Sequence, residues 1–266
     1  MKLGFIGGGN MAFAIASGVV SSGLLCADNI TVNDTNENAL KKFMDGGMKA
    51  SCDVAALMSC DYIVLAVKPF ILPEVLNKLG KEFSEQIKDK VFISIAAGIG
   101  VSSIKEQLGF DAKVVRIMPN TPALIGEGMS VIAKALPPVT EHEFENVKKI
   151  FDSVGKTEVM DEDKLNAVIA ISGSSPAYVF MLIEAMADAA VRDGIARDTA
   201  YRLASQSVSG SAKMVLETKK HPAELKDMVC SPGGTTIEAV AQLEESGFRD
   251  AIISAMKKCT DKANNI

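Results

Sequence analysis

A change of period near the middle of this 266-residue chain constrains its fold more than any other feature. From Lys2 to about Met160, short β-branched runs alternate with amphipathic stretches. Residues 3–6, 30–33, 62–67, 91–95 and 114–118 read as buried strands, with helical patterns between several of them. After Asp161 the strand signal stops. Helical patterns then cover about 162–193, 197–218, 222–229 and 235 to the end. Such a chain is expected to form an α/β Rossmann-type N-terminal domain with a doubly wound, mainly parallel sheet, followed by an all-α C-terminal domain. We expect the boundary at 160/161, giving domains 1–160 and 161–266, which suits a length beyond the usual single core. Lys134-Ala135-Leu136-Pro137-Pro138 marks a loop inside the first domain, ahead of a helix over 141–154.

The first strand runs into Gly7-Gly8-Gly9-Asn10-Met11-Ala12, which fits G-x-G-x-x-A between a strand and a helix. Gly7 permits the tight turn, Gly9 lets a pyrophosphate approach the backbone, and Ala12 lets the helix lie close to the strand. These flanks point to a dinucleotide, with Gly7, Gly9, Asn10, Met11 and Ala12 in contact with it. Asp34, at the end of the second strand beside Asn33 and Thr35, stands where an acidic side chain takes the ribose hydroxyls. It would repel a 2′-phosphate, and no arginine lies in Asn33-Asp34-Thr35-Asn36-Glu37, so NAD(P)H binding with a preference for NADH is expected. Ala66-Val67-Lys68-Pro69 and the segment holding Ala96 and Ala97 lie at strand carboxyl ends, where such sheets place ligands.

A second glycine-rich turn, Ser231-Pro232-Gly233-Gly234-Thr235-Thr236, leads into apolar positions at helical spacing. Thr235 or Thr236 is expected at the N-cap, and Thr235 with Glu238 has the spacing of a capping box. A box needs neither glycine nor Ser231, so the surplus points to a small anion at the positive end of the helix.

The rest of the composition narrows the class. A net charge of −5 without a basic cluster, and no tryptophan, argue against nucleic acid or an anionic membrane as partner. The longest apolar run, 91–101, is too short to cross a bilayer. No signal peptide is legible, and a cytoplasmic location is expected. Five cysteines without a C-x-x-C suggest neither zinc nor a disulfide framework. Cys230 beside the second turn reads as a packed thiol. The helix near 177–192 is apolar on more than one face, through Phe180, Met181, Ile183, Met186 and Ala187, as a helix in a subunit interface or a core would be.

Taken with Met118-Pro119-Asn120-Thr121-Pro122, Ser172-Gly173-Ser174-Ser175-Pro176-Ala177-Tyr178 and Leu225-Lys226-Asp227-Met228-Val229-Cys230, these motifs make the chain resemble Δ1-pyrroline-5-carboxylate reductases nearly end to end. The resemblance implies an enzyme of proline biosynthesis that transfers hydride from NAD(P)H to a cyclic imino acid. The N-terminal half would bind cofactor, and the helical half would form a homodimer, with assembly into a larger homo-oligomer left open. Substrate would sit between the halves, near the interface. By the same resemblance, the backbone of Gly234, Thr235 and Thr236 holds the substrate carboxylate, Thr236 bonds the ring nitrogen, and Glu162 lies near the ligands. Asp53 and Asn120 join the cofactor contacts. Asp34 and Asp53 depart from relatives that favour NADPH, and Met228 replaces a polar residue seen in some of them.

An iminium substrate brings its own proton, which suits a chain whose two histidines lie in a charged helix (His142) and before a helix-starting proline (His221). Catalysis would rest on positioning, with Thr236 the catalytic residue. A hydroxyacid dehydrogenase of the 6-phosphogluconate type shares this architecture but needs a lysine where 172–179 has none. A non-catalytic NAD(P)-binding module is the other alternative.

Overall fold

The computed structural model describes residues 1–265. In chain order the elements are β1 (Leu3–Ile6), α1 (Asn10–Ser21), β2 (Ile30–Asn33), α2 (Glu37–Asp45), β3 (Lys49–Ser51), β4 (Tyr62–Leu65), α3 (Leu72–Glu82), α4 (Ser84–Ile87), β5 (Val91–Ser94) and α5 (Val101–Leu108). They continue with β6 (Lys113–Met118), β7 (Gly128–Ala133), α6 (Glu141–Asp152) and β8 (Gly155–Met160). All eight strands join one sheet in the order β3-β2-β1-β4-β5-β6-β7-β8. Only the β6–β7 pair is antiparallel. The chain winds outward from β1 to β3 and returns to the other side of β1 at β4. The gap between the carboxyl ends of β1 and β4 is therefore the switch point where ligands bind in such sheets.

The central strands read as unbroken apolar runs because both faces of the sheet are covered. Alternation sends Phe5, Val32, Val64 and Ile93 to the face packed by α1, α2 and α6. Ile6, Ile63, Leu65 and Phe92 go to the face packed by α3 and α5. Phe5 and Phe92 are fully buried on opposite faces, and truncating either to alanine costs roughly 3–5 kcal/mol. Helix α6 starts at a complete capping box, with Thr140 Oγ1 accepting from the Glu143 amide and the Glu143 carboxylate accepting from the Thr140 amide.

Three strands were absent from the sequence reading. β3 is only three residues long, and β8 exposes alternate positions through Lys156 and Glu158. β7 pairs with β8 through Gly128 and Gly155, and its apolar residues follow an unsignalled turn at 121–125.

Beyond β8 the chain forms α7 (Leu165–Val168), a π-helical turn (Ile169–Gly173), α8 (Ser175–Arg192), α9 (Arg197–Thr218), α10 (Pro222–Val229), α11 (Thr235–Glu245) and α12 (Phe248–Ala263). The expected single helix from 235 onward is two helices, because Gly247, with φ +73°, breaks it. His221 is an N-cap, its Nδ1 accepting from the Ala223 amide at 3.2 Å.

The two compact units do not divide at the end of the strand signal. One unit comprises Met1–Ser174 with the chain end from Cys259, and the other is Ser175–Lys258. Leu165 and Val168 pack on Met118, Val131 and Ala133 of the sheet unit, and Asn166 donates to Asn264 at 3.2 Å. Residues 161–174 thus belong with the sheet.

The helical unit buries little of itself, chiefly Pro176 and Ala187 of α8, Ala200 and Ala204 of α9, and Leu225 of α10. Phe180, Met181, Leu203, Leu216 and Ile253 are exposed on it. Against the expectation of no membrane-length segment, the run Glu162–Arg192 contains an 18-residue window of mean hydropathy 1.5, which by length and composition alone matches a span. Small and polar residues at 172–175 hide it from a search for contiguous apolar residues.

Candidate functional site

The carboxyl ends of β1, β2, β4 and β5 surround a cleft of about 750 Å³. Gly7 makes its floor. With φ +103° it adopts a backbone that L residues avoid, and a Cβ there would stand 2.7 Å from the Ala66 carbonyl oxygen. Its amide donates to the Asn33 carbonyl at 2.8 Å, fastening the turn to β2. Gly9 is the N-cap of α1, has no side chain to cap the helix, and has nothing within 4 Å of where a Cβ would be. The first amides of α1 therefore face open space, as a phosphate requires. Ala12 is buried beneath the turn, packed in the core as its size requires.

The cleft gathers Gly7, Gly9, Asn10, Met11, Asn33, Asp34, Thr35, Ala66, Val67, Lys68, Pro69, Ala96 and Ala97. Among the described residues lining it, Asp34 is the one anion and Lys68 the one cation. Ile95, within the segment expected to face a ligand, also lines the cleft, as do Ile6, Ile71, Val75 and Pro119, which the sequence pattern did not assign to it. For Ile6 the signal was available, since it sits at the very end of a strand run.

Two expected cofactor contacts are occupied elsewhere. Asp53 caps the 3₁₀ turn Val54–Ser59 through the Ala55 amide at 2.9 Å and does not line the cleft. Asn120 is buried, with Oδ1 accepting from the Met129 amide at 2.8 Å and Nδ2 donating to the Ser172 carbonyl at 3.3 Å. It ties the end of β6 to the π-helical turn and leaves Pro119, not itself, at the cleft.

In the helical unit, Ser231-Pro232-Gly233-Gly234 closes a β-turn, the Gly234 amide donating to the Ser231 carbonyl at 3.0 Å. Proline in second place and Gly233 with φ +65° in third is the type II pattern. The turn accounts for Gly233. The N-cap of α11 is Gly234, not a threonine, and no side chain caps the helix. The expected Thr235–Glu238 box is thus not formed, because the turn delivers the chain into the helix one residue early and places Thr235 at the first helical position. Gly234 has spent its amide on the turn. Of the three amides nominated for a carboxylate, those of Thr235 and Thr236 remain, with no intrahelical partner.

A third glycine-capped helix shows what such an end accepts. α5 begins after Gly100 without a cap of its own, and the Glu162 carboxylate takes the Val101 amide at 2.8 Å. Glu162 also lies 3.6 Å from Arg116, a buried guanidinium on β6 that the sequence reading did not single out. Burial pushes the Arg116 pKa down, and Glu162 works against that shift. Arg116 donates to Asn166 Oδ1 at 2.7 Å, while its Nε has no partner among the described residues. Glu162 thus fills a helix end inside the sheet unit, whereas α1 and α11 begin at glycines with no side-chain cap.

Residues 162–266 match the family model described as pyrroline-5-carboxylate reductase dimerisation, and residues 2–98 match the one described as NADP oxidoreductase, coenzyme F420-dependent. The apolar surface of α8 lies within the first match. A pyrroline-5-carboxylate reductase of Escherichia coli (strain K12) is 47% identical, with 100% of this chain and 98% of the relative covered. One of Arabidopsis thaliana is 40% identical, covering 100% and 95%. Among solved structures, Plasmodium falciparum pyrroline carboxylate reductase with NADP bound matches with a TM-score of 0.90 at 31% identity, covering 100% of this chain and 97% of its own.

Proposed function

This chain belongs to the pyrroline-5-carboxylate reductase family, and on that premise we propose how its residues divide the work of the reaction. The enzyme reduces Δ1-pyrroline-5-carboxylate to L-proline with a nicotinamide cofactor, a step of proline biosynthesis, and its dimerisation domain makes it a homodimer. When bound, the cofactor supplies the hydride. The glycine turn at Gly7–Gly9 and the amides of Asn10 and Met11 take its phosphates, Asp34 its adenosine ribose, and the Ala66–Pro69 and Ala96–Ala97 segments flank the nicotinamide. The Thr235 and Thr236 amides hold the substrate carboxylate, and the Thr236 hydroxyl bonds the ring nitrogen.

The observation that carries this assignment is the uncapped start of α11. Charge-assisted bonds from two oriented amides are worth roughly 1.5–3 kcal/mol each, enough to hold a small acid without an arginine. The iminium nitrogen arrives protonated, so Thr236 orients the ring and no strong acid is needed. Hydride transfer adds one requirement: the ring carbon must come within about 3–3.5 Å of the nicotinamide.

We further propose that Asp34 gives NADH the advantage, that the enzyme works in the cytoplasm, and that its partners are small molecules and copies of itself. Following pyrroline-5-carboxylate-dependent oxidation of NADH and of NADPH tests the assignment. Turnover with at least a tenfold higher kcat/KM for NADH is expected. A tenfold advantage for NADPH removes Asp34 as a discriminator, and binding of cofactor without turnover of the imine removes the reaction.

A further inference from the structure

The Asp34 carboxylate does more than face the cleft. Its Oδ2 accepts from the Gly8 amide at 2.6 Å, and its Oδ1 accepts from the Asn36 amide at 2.8 Å. Gly8 is buried. A Cβ there would lie 3.4 Å from Asp34 Oδ2, 3.4 Å from the Phe43 ring and 3.5 Å from Ala39, so the middle of the turn is wedged between this carboxylate and α2. The neighbouring Gly7 amide is held by the Asn33 carbonyl. Two successive amides of the turn are therefore fixed by two successive residues at the end of β2, one through backbone and one through the Asp34 side chain. Without that carboxylate the Gly8 N–H becomes a buried donor with no acceptor, and the turn must shift to satisfy it.

From this we infer that Asp34 is a positioning residue of the phosphate-binding turn as well as a reader of the adenosine ribose. The inference rests on reading the cleft as the dinucleotide site. It has a consequence that ribose recognition alone lacks: replacing Asp34 loosens the grip on the nicotinamide half of the cofactor, which never reaches the adenosine ribose. Removing the charge to admit a 2′-phosphate also unseats the turn, so the substitution alone does not produce an efficient NADPH enzyme.

The probe is oxidised nicotinamide mononucleotide, which has the nicotinamide, its ribose and one phosphate but no adenosine, used as an inhibitor competing with NADH. Asp34→Ala is expected to raise its Ki by about tenfold, the loss of one charge-assisted bond to a buried amide, and to leave the KM for NADPH no lower than in the unsubstituted enzyme. Asp34→Asn keeps one acceptor for one of the two amides and is expected to fall between. If Asp34→Ala does not fold, the asparagine variant carries the same comparison. A Ki within twofold of the unsubstituted enzyme, in whichever variant folds and with the NADH KM raised, overturns the inference and leaves Asp34 as a ribose contact only. The cofactor preference is read separately, from the NADH to NADPH efficiency ratio of the unsubstituted enzyme, so either conclusion can fail without the other.

Discussion

The two compact units solve the same problem in opposite ways. The sheet unit buries both faces of its central strands, so Phe5, Phe92 and their neighbours are inaccessible within one chain. The helical unit leaves Phe180, Met181, Leu203 and Leu216 open, and the residues buried in its helices are mostly small. A core that a single chain completes needs no partner; an apolar surface of this extent does. The difference teaches that the sheet unit completes its core within one chain, whereas the helical unit leaves apolar surface open within the stretch matched by the dimerisation model. Both units nonetheless share one local feature, a helix begun by a glycine N-cap with no side-chain cap, at Gly9 in one and Gly234 in the other.

The contrast is broken most forcefully at the exposed face of α8. Phe180→Asp combined with Met181→Asp places charges on this exposed apolar face, within the stretch matched by the dimerisation model. Loss at an interface hot spot of about 2–4 kcal/mol weakens a dimer by roughly 30- to 1,000-fold. Sedimentation velocity is expected to show monomers, while fluorescence titration shows NADH still bound by the sheet unit. Retention of the dimer would mean that the exposed face lies outside the interface. Next in size, Thr236→Ala removes one oriented hydrogen bond and is expected to lower kcat by ~10–100-fold, with the melting temperature unchanged. Unaltered turnover would take Thr236 out of the chemistry.

The smallest expected effect belongs to the sheet unit and reads its electrostatics. Glu143 is partly buried, and desolvation pushes its carboxyl upward, but hydrogen bonds from Lys113 and from the Thr140 amide and hydroxyl outweigh that and hold it below the ordinary glutamate value. A carboxyl depressed on folding stabilises the protein above its unfolded pKa, and that contribution is lost as the pH falls through the folded value. Thermal melts from pH 7 into acid are expected to show the stability deficit of Glu143→Gln shrinking as the pH falls through the depressed folded value. A difference that persists unchanged in acid would contradict this.

The parts of the molecule legible in sequence are those where one physical signal dominates. The bounds of β1 and β2 match the reading because each is a short, wholly buried run built on apolar residues, Leu3, Phe5 and Ile6 in one and Ile30 and Val32 in the other, and the glycine turn is legible because a positive φ at residue 7 leaves few alternatives. β8 escaped because an exposed edge strand carries polar residues at alternate positions. The capping box was misread because a threonine and a glutamate at the right spacing do not reveal where the preceding turn ends. Arg116 was missed although a lone arginine in the apolar run Val114-Val115-Arg116-Ile117-Met118 needs a buried partner. That partner, Glu162, lies 46 positions on in the chain, beyond the reach of local pattern.

The central claim is that the first free amides of α11 hold the substrate carboxylate, and a backbone substitution tests it most directly. Thr235 is the first helical residue, where proline is tolerated, and Gly234 before it is extended at φ −83° and ψ 169°, as a residue preceding proline should be. Thr235→Pro deletes both amide and hydroxyl, and Thr235→Ala deletes the hydroxyl alone. The account predicts that the proline variant has a KM for pyrroline-5-carboxylate about tenfold or more above that of the alanine variant, with equal KM for NADH and equal melting temperature. Equal KM values for the imine in the two variants would contradict it.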